Sequence, residues 1–397
     1  MKFVIMRLIR LFFCTDTVRR STLALLLLCA MAHVAVGQDD AIKISPIGRA
    51  LFDAAAYAGN DNDDFEAGVA IPEIRLGVKG SYQNFNAKIE LGYAYSKLTL
   101  KDVYLQAKLA DGFSVYVGNM IIPYGLQSAY SASMKTTMEA PSCNSAFDIG
   151  RAIGVDGVYY NGAAYASLAL TAESKASVLR SNEMAKTAWG GATRLVWAPV
   201  NRDGRLLSFG WSGALSGAQY NEDERLNHRS FTISANYPTH VSRVKAVSAL
   251  VDDASLMFRC TPELTAAYGR VALESQYYYN LVRRKDGAPD YTAYGAYATL
   301  RCILRGGGYS YLASSARLDT PAPKSLELAG SYSYTCLDDS GAGIRGGRIS
   351  DVSMTFNWYV NRYIIWRVCC SYSHCWGRPE VRSVDLGTFQ TRLQIIF

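Results

Sequence analysis

Residues 101–160 read KDVYLQAKLADGFSVYVGNMIIPYGLQSAYSASMKTTMEAPSCNSAFDIGRAIGVDGVYY. From Asp102 to Leu109 the side chains alternate: Val103, Leu105, Ala107 and Leu109 share one face, and Asp102, Tyr104, Gln106 and Lys108 the other. A period of two with one oily and one wet face is the pattern of a β-strand between two solvents. Asp111-Gly112 supplies a tight turn, and Phe113, Val115 and Val117 resume the alternation in the next antiparallel strand. After Asn119 the pattern stops for about thirty residues, too long for an ordinary hairpin connection, and loops of that length carry function more often than not.

The same period recurs outward from this stretch. Ile74, Leu76 and Val78 oppose Glu73, Arg75, Gly77 and Lys79; Phe85, Ala87, Ile89, Leu91, Tyr93 and Tyr95 oppose Asn86, Lys88, Glu90, Gly92 and Ala94. Val352, Met354, Phe356, Trp358 and Val360 oppose Ser353, Thr355, Asn357 and Tyr359, and the chain ends with Phe389, Leu393, Ile395 and Phe397 opposite Gln390, Arg392 and Gln394. A soluble sandwich alternates in the same way, so the period alone does not choose between them. Three further features do: aromatic residues near strand ends, a terminal strand closing on Phe397, and the first 37 residues.

In those first residues Lys2, Arg7, Arg10, Arg19 and Arg20 precede an apolar core from Leu23 to Ala32 and the small pair before Gly37, the pattern of a secretory signal peptide cleaved before Gln38. Cys29 follows Leu28 where lipid attachment needs a small residue, so lipidation is not expected. Five of the 41 basic and one of the 34 acidic residues lie in this segment, which leaves 36 against 33 and a mature charge of +3 rather than +7. No later apolar run approaches the ~18 residues a membrane helix needs. An exported chain with 27 Tyr and 33 Gly in alternating segments has a closed barrel as its membrane solution, because closure satisfies every backbone group in lipid.

The expected fold is therefore all-β: residues 38–397 form a transmembrane antiparallel β-barrel interrupted by the long loop. At one strand and connector per roughly 22 residues, about 16 strands result. Asn161-Gly162 suits a type I′ turn, Asp203-Gly204 a short loop and Asn361-Arg362 a two-residue connection, alternating with longer segments such as Gly59 to Ile71 and Ala218 to Ser255.

Several motifs in this frame resemble the phosphate-selective porin O and P family of outer-membrane channels: LKDVYLQAKL, VGNMIIPYGLQSAYS, Met138-Glu139 and GRAIGV, then Ala192 to Gly217, and LELAGSYSY, GGR and FNWYVN towards the end. The likeness covers most of the chain after the leader and weakens between Ala218 and Cys260. It implies a 16-stranded barrel in a Gram-negative outer membrane, a homotrimer, and a long loop folded into the lumen that narrows the pore. It also implies passive diffusion of small hydrophilic solutes, favouring anions such as phosphate. Where the family often has consecutive arginines in the second strand, this chain has Glu73-Ile74-Arg75.

Charged residues on the wet faces are the candidate site. Arg75, Lys79, Lys88, Lys108, Arg194, Arg270, Arg301 and Arg305, with Arg367 and Arg392, are the basic wall candidates, since rings of Lys and Arg in a narrow pore favour anions. The competing expectation is that Glu73, Glu90, Asp102, Glu274 and Glu327, on the same faces, neutralise them. Lys135, Glu139, Asp148 and Arg151 are the constriction candidates in the long loop; Glu139 and Arg151 match the family's loop, and Lys135 and Asp148 are chosen by position. A second large loop, Tyr220 to Asp253, carries Arg225, Arg229, Arg243 and Lys245 among five acids and is placed to cover the mouth.

Other chemistry is not expected. Seven cysteines follow the leader, an odd count that leaves at least one thiol unpaired. Cys369 and Cys375 share one strand face ~20 Å apart while Cys370 and His374 share the other, so these four cannot close on one metal ion. His228, His240 and His374 stand in no recognisable arrangement with a serine, so no catalytic residue, cofactor or nucleic-acid partner is assigned. The alternative function is a surface-docking or scaffold barrel with little channel activity, which conductance measurement would separate from a channel.

Overall fold

A computed structural model describes residues 42–59, 65–172, 188–202, 204–220, 229–379 and 383–397. The proposed leader, residues 1–37, and His228 lie outside the described residues. The first half of the chain forms β1 (Lys43–Gly59), β2 (Gly68–Tyr82), β3 (Phe85–Ala94), β4 (Lys97–Ala110), β5 (Phe113–Ile121), β6 (Arg151–Tyr160), β7 (Ala164–Ala172), β8 (Trp189–Arg202) and β9 (Arg205–Gly217). Next come the short β10 (Gln219–Tyr220), β11 (Arg229–Asn236) and β12 (Lys245–Val251), followed by β13 (Ala254–Tyr268), β14 (Val271–Arg284) and β15 (Tyr291–Arg305). Two more short strands, β16 (Tyr311–Leu312) and β17 (Arg317–Leu318), precede β18 (Leu326–Asp339), β19 (Ile344–Tyr359), β20 (Ile364–Trp376) and β21 (Val384–Ile396).

Sixteen of these close into one barrel in the order β1 to β9, β13 to β15 and β18 to β21, and every strand pairing along that wall is antiparallel. The seam is a long pairing of β1 with β21, from Arg49 opposite Ile396 to Gly59 opposite Leu386. Phe397 finishes it by exchanging both backbone hydrogen bonds with Gly48, at 2.7 and 3.0 Å. No sheet edge is left on the barrel, which is what makes strands tolerable in hydrocarbon.

The alternation sorts outward from inward as the sequence predicts. Ile89, Leu105, Leu109, Val117, Val352, Met354, Phe389 and Leu393 are exposed on the outer wall. Tyr82, Phe85, Phe113, Tyr159, Tyr268, Tyr363 and Phe397, all close to the short-turn end, add an aromatic belt there. Inside, polar side chains such as Thr355, Asn357, Arg367, Gln390 and Gln394 are almost fully covered. A lumen of open water would leave them exposed, so something fills this part of the barrel.

Turn chemistry differs from expectation in two places. Between β6 and β7 the connection is Asn161 to Ala163 rather than a two-residue type I′ turn, because the Asn161 carboxamide oxygen accepts from the backbone N–H groups of Ala163 and Ala164, at 2.9 and 2.7 Å. Asn361 does the same for Tyr363 and Ile364, so residues 360–363 make a four-residue connection. An asparagine that can satisfy two backbone donors builds its own turn. Gly112, by contrast, needs its positive φ of 74°, and a Cβ there would lie 2.1 Å from the Tyr160 carbonyl oxygen. Gly112→Val is therefore expected to cost at least about 2 kcal/mol. The expected sign is a lower urea midpoint for the band that migrates as folded on unheated gels; an unchanged midpoint would count against this turn.

The division into short turns at one end and long loops at the other holds with three exceptions. Tyr95-Ser96 and residues 340–343 are short connections at the loop end, and residues 306–325, carrying β16 and β17, form a long one at the turn end.

Candidate functional site

Three insertions meet in the lumen. The first lies between Ile121 and Arg151 and contains a short 3-10 turn (Leu126–Ala129) and one six-residue helix, α1 (Ser142–Phe147). It is stitched to one arc of the wall. The Gly125 N–H donates to Ser212 on β9 at 2.9 Å, and Gln127 donates to Tyr297 on β15 at 2.9 Å. Asn357 on β19 donates to the Thr136 carbonyl at 2.8 Å, Ser142 pairs with Thr335 on β18 at 2.8 Å, and Arg259 on β13 donates to the Asp148 carbonyl at 3.2 Å. Arg367 on β20 and Gln394 on β21 both donate to the Ser133 carbonyl, each at 3.0 Å. A segment without a sheet of its own has its backbone polar groups satisfied by the wall instead.

The second insertion, residues 218–253, brings the β11–β12 hairpin across the loop end. Cys375 donates to the Ala246 carbonyl at 3.0 Å, Gln390 to that of Pro238 at 2.8 Å, and Tyr95 to that of His240 at 2.8 Å, so the segment reaches from β20 and β21 to the β3–β4 turn. Arg243 lies 4.2 Å above the Tyr95 ring; Arg225 and its acidic neighbours fall outside the described residues. The third insertion, residues 306–325, enters from the turn end. Arg194 on β8 donates to the carbonyls of Ser315 and Ala316, both at 2.8 Å, and the Leu318 N–H donates to Tyr130 of the long loop at 3.2 Å.

Together these cover the arc from β8 to β21 and leave the arc from β1 to β7 less filled. On the covered arc the basic wall candidates are spent on structure. Arg301 is 1 % exposed and pairs with Glu327 and Glu274, at 3.0 and 3.1 Å. Arg194, also 1 % exposed, pairs with Glu263 at 2.7 Å. Arg367 donates to loop carbonyls, and Arg392 binds both oxygens of Asp53, at 2.7 and 2.6 Å, as well as Glu139 at 2.6 Å. These arginines clamp rather than line.

Two candidates leave the wall altogether. Arg270 stands in the turn between β13 and β14, and Arg305 is exposed at the end of β15; both are rim residues, because the strands end where alternation still continues in the sequence. Lys79 and Lys108 are exposed near the turn end.

On the less filled arc, charges form one connected band across β1 to β6. Arg49 donates to Glu73; Arg75 pairs with Glu73 at 2.7 Å and Glu90 at 3.1 Å; Lys88 pairs with Glu90 at 3.5 Å and Asp102 at 2.5 Å; Arg151 pairs with Asp102 at 2.7 Å; Lys101 stands 3.8 Å from Glu73. Five cations meet three carboxylates here, and the band keeps a positive excess. Glu73, Glu90 and Asp102 thus pair as the competing expectation required, without cancelling the cations. The alternation pointed to Arg75 and Lys88; Arg49 and Lys101 escaped notice, since nothing local marks them.

Among the constriction candidates, Arg151 belongs to this band. Glu139 does not: besides Arg392 it holds His240 at 2.7 Å, a residue the sequence offers no reason to connect with it. Burial alone would raise the Glu139 pKa, but His240 and Arg392 overcome it and bring the carboxyl to about 2. Lys135 forms no ion pair among the described residues, and burial lowers its pKa. Asp148 also lacks an ion pair among the described residues, and its backbone carbonyl is the group held by Arg259.

Because the folded pKa of Glu139 lies below its ordinary carboxylate value of 4.5, its contribution to stability is present above that value and is lost as pH falls from about 4.5 through about 2. Unfolding midpoints are expected to be more acid-sensitive over that window in the native protein than in Glu139→Gln. Equal slopes would mean that the clasp carries no pH dependence.

Asp53, Glu139 and His240 bring ligand atoms within 4.8 Å of one another, but an Arg392 nitrogen lies among them, 2.6 to 2.7 Å from each, and occupies the place a metal would take. All seven described cysteines are free. Cys369 and Cys375 are buried and Cys370 is exposed on the opposite face, as their spacing predicts.

A sixteen-stranded barrel with an apolar outer wall, a charged inner band and loops folded into its lumen defines an outer-membrane channel protein. The profile of the family described as phosphate-selective porin O and P matches residues 48–396, and the chain belongs to that family, an outer-membrane porin of Gram-negative type. Among curated proteins no sequence matches significantly.

Solved structures agree on the fold. OmpT, an outer membrane protein of Vibrio cholerae, has a TM-score of 0.60 at 9% identity over 92% of this chain and 100% of its own. An anion-selective porin from Comamonas acidovorans has 0.57 at 10% identity, covering 90% and 100%. Salmonella typhi OmpF has 0.54 at 12% identity, covering 91% and 100%.

Proposed function

We propose that the barrel conducts small hydrophilic anions, phosphate among them, by passive diffusion along the β1 to β7 arc. One observation carries this reading: the charge band across β1 to β6 holds five cations and three carboxylates, and a positive excess in a narrow, partly desolvated passage favours anions. Arg151 acts there directly, and Lys135 adds a positive charge on the loop. The anion-selective porin from Comamonas acidovorans supports the reading by its fold. The test is the zero-current potential in a planar bilayer under a potassium chloride gradient. It is expected to take the sign of a chloride-permeable pore; a potassium-selective sign would overturn the assignment.

A second reading, a docking barrel with little conductance, is favoured by one specific fact, the three insertions that fill the β8 to β21 arc. Absence of conductance in the same bilayer would decide for it. Three further assignments complete the reading. Residues 1–37 act as an export signal, and the mass of the mature protein checks this. Residues 38–397 form the lipid-embedded porin domain, and that porin assembles as a homotrimer. The trimer form of Vibrio cholerae OmpT supports the assembly, and light scattering in mild detergent tests it.

A further inference from the structure

The charge band does not account for Asp156. This carboxyl is 3 % exposed on the inner face of β6, makes no hydrogen bond or ion pair among the described residues, and has one oxygen wholly covered without a partner. It borders a cavity of about 230 Å³ that extends from Asp102 toward the turn end of the barrel. Tyr104 on β4, Tyr116 on β5 and Tyr165 on β7 form its aromatic side, with Pro123 of the long loop and Ser314 of the turn-end insertion across from them. Tyr116 stands directly opposite Asp156 in the strand register, and the Tyr104 and Tyr116 rings meet at 5.6 Å, edge to face.

The cation that lines this cavity, Arg194, cannot serve Asp156. Arg194 directs Nε and Nη2 to Glu263, and Nη1 and Nη2 to the carbonyls of Ser315 and Ala316. Its guanidinium does lie 5.3 Å from the centre of the Tyr165 ring, so one face of this aromatic set already holds a cation.

We infer that the cavity bounded by Tyr104, Tyr116, Asp156 and Tyr165 is a binding subsite for a small organic cation, an ammonium group carrying short alkyl substituents. An isolated buried carboxylate is costly until an opposite charge reaches it. A metal ion would find one unpaired carboxylate, because Asp102, the other one lining the cavity, is held by Lys88 and Arg151, and an anion would meet the uncompensated charge of Asp156. An alkylammonium satisfies both kinds of surface: its charge meets Asp156, and its methyl or methylene groups lie against tyrosine faces, where cations are attracted by the ring quadrupole. The subsite goes beyond anion conduction and gives the passage a second station of opposite polarity beside the positive band.

The experiment is calorimetric titration of the whole detergent-solubilised barrel with choline chloride, which reads binding without requiring conductance. Saturable binding is expected, weakened about tenfold or more in both Asp156→Asn and Tyr116→Leu, unchanged in Lys79→Ala, and not displaced by an equal concentration of sodium chloride. Folding of each variant is checked by its migration on unheated gels, and Tyr116→Leu decides if Asp156→Asn does not fold. No saturable binding in the native barrel, or choline bound equally well by the folded variants, overturns the assignment.

Discussion

Replacing Arg392 with alanine is expected to destabilise the barrel by about 3–5 kcal/mol, the cost of leaving buried charge without its partner. Arg392 binds both oxygens of Asp53, donates to the Met138 carbonyl at 2.7 Å and reaches Glu139 at 2.6 Å, so one side chain joins β21, β1 and the long loop. Its loss strands a fully covered Asp53 carboxylate and unfastens the loop in the same step. The measurement is the urea midpoint of refolded protein in vesicles, with single-channel recording beside it; increased open-channel noise should accompany the lower midpoint. Removing the stranded charges as well, with Asp53→Asn and Glu139→Gln, is expected to restore part of the stability. A midpoint within experimental scatter of the native protein would show that the clamp is dispensable.

The second large effect concerns charge selection. Changing Lys101 and Arg151 together to glutamate converts five cations against three carboxylates into three against five. Each charge within about 6 Å of a passing ion contributes roughly 0.7 to 2.8 kcal/mol as the effective dielectric constant falls from 80 to 20. Four units of change are therefore expected to carry the anion-to-cation permeability ratio through one and reverse the sign of the zero-current potential. Lys135→Glu should lower the ratio without reversing it. Arg243→Glu, whose native guanidinium rests on the Tyr95 ring of the loop end, serves as the outer control. If the double variant keeps native selectivity, or if Arg243→Glu changes it as much, selection does not occur at the band. Arg151 is bonded to Asp102, so folding of the double variant is verified by heat-modifiable migration before the comparison is made.

Both predictions depend on a distinction between similar residues. Arg75, Arg301 and Arg392 look alike in sequence, each on the polar face of an alternating strand. Arg75 stands in the band, whereas Arg301 and Arg392 are locked beneath insertions. The difference is set by residues on other elements, such as Tyr309 of the turn-end insertion and Tyr359 of β19, which both donate to the Glu327 that holds Arg301.

The sequence by itself determined the barrel: its period of two, its closing aromatic strand and its strand count follow from local chemistry, because a strand between lipid and a polar lumen must alternate and the backbone must close. It also located the long loop and named five of the carboxylates that pair with the wall cations, though not Glu263 or Asp53. Only the tertiary structure decided which cations remain beside the passage, that His240 and Arg392 hold Glu139, that residues 306–325 enter from the turn end, and that Asp156 faces a tyrosine-lined cavity. Alternation reports the face a side chain occupies. Which insertion covers that face depends on contacts between residues a hundred or more positions apart, as between Arg392 and Glu139, and no local pattern encodes them.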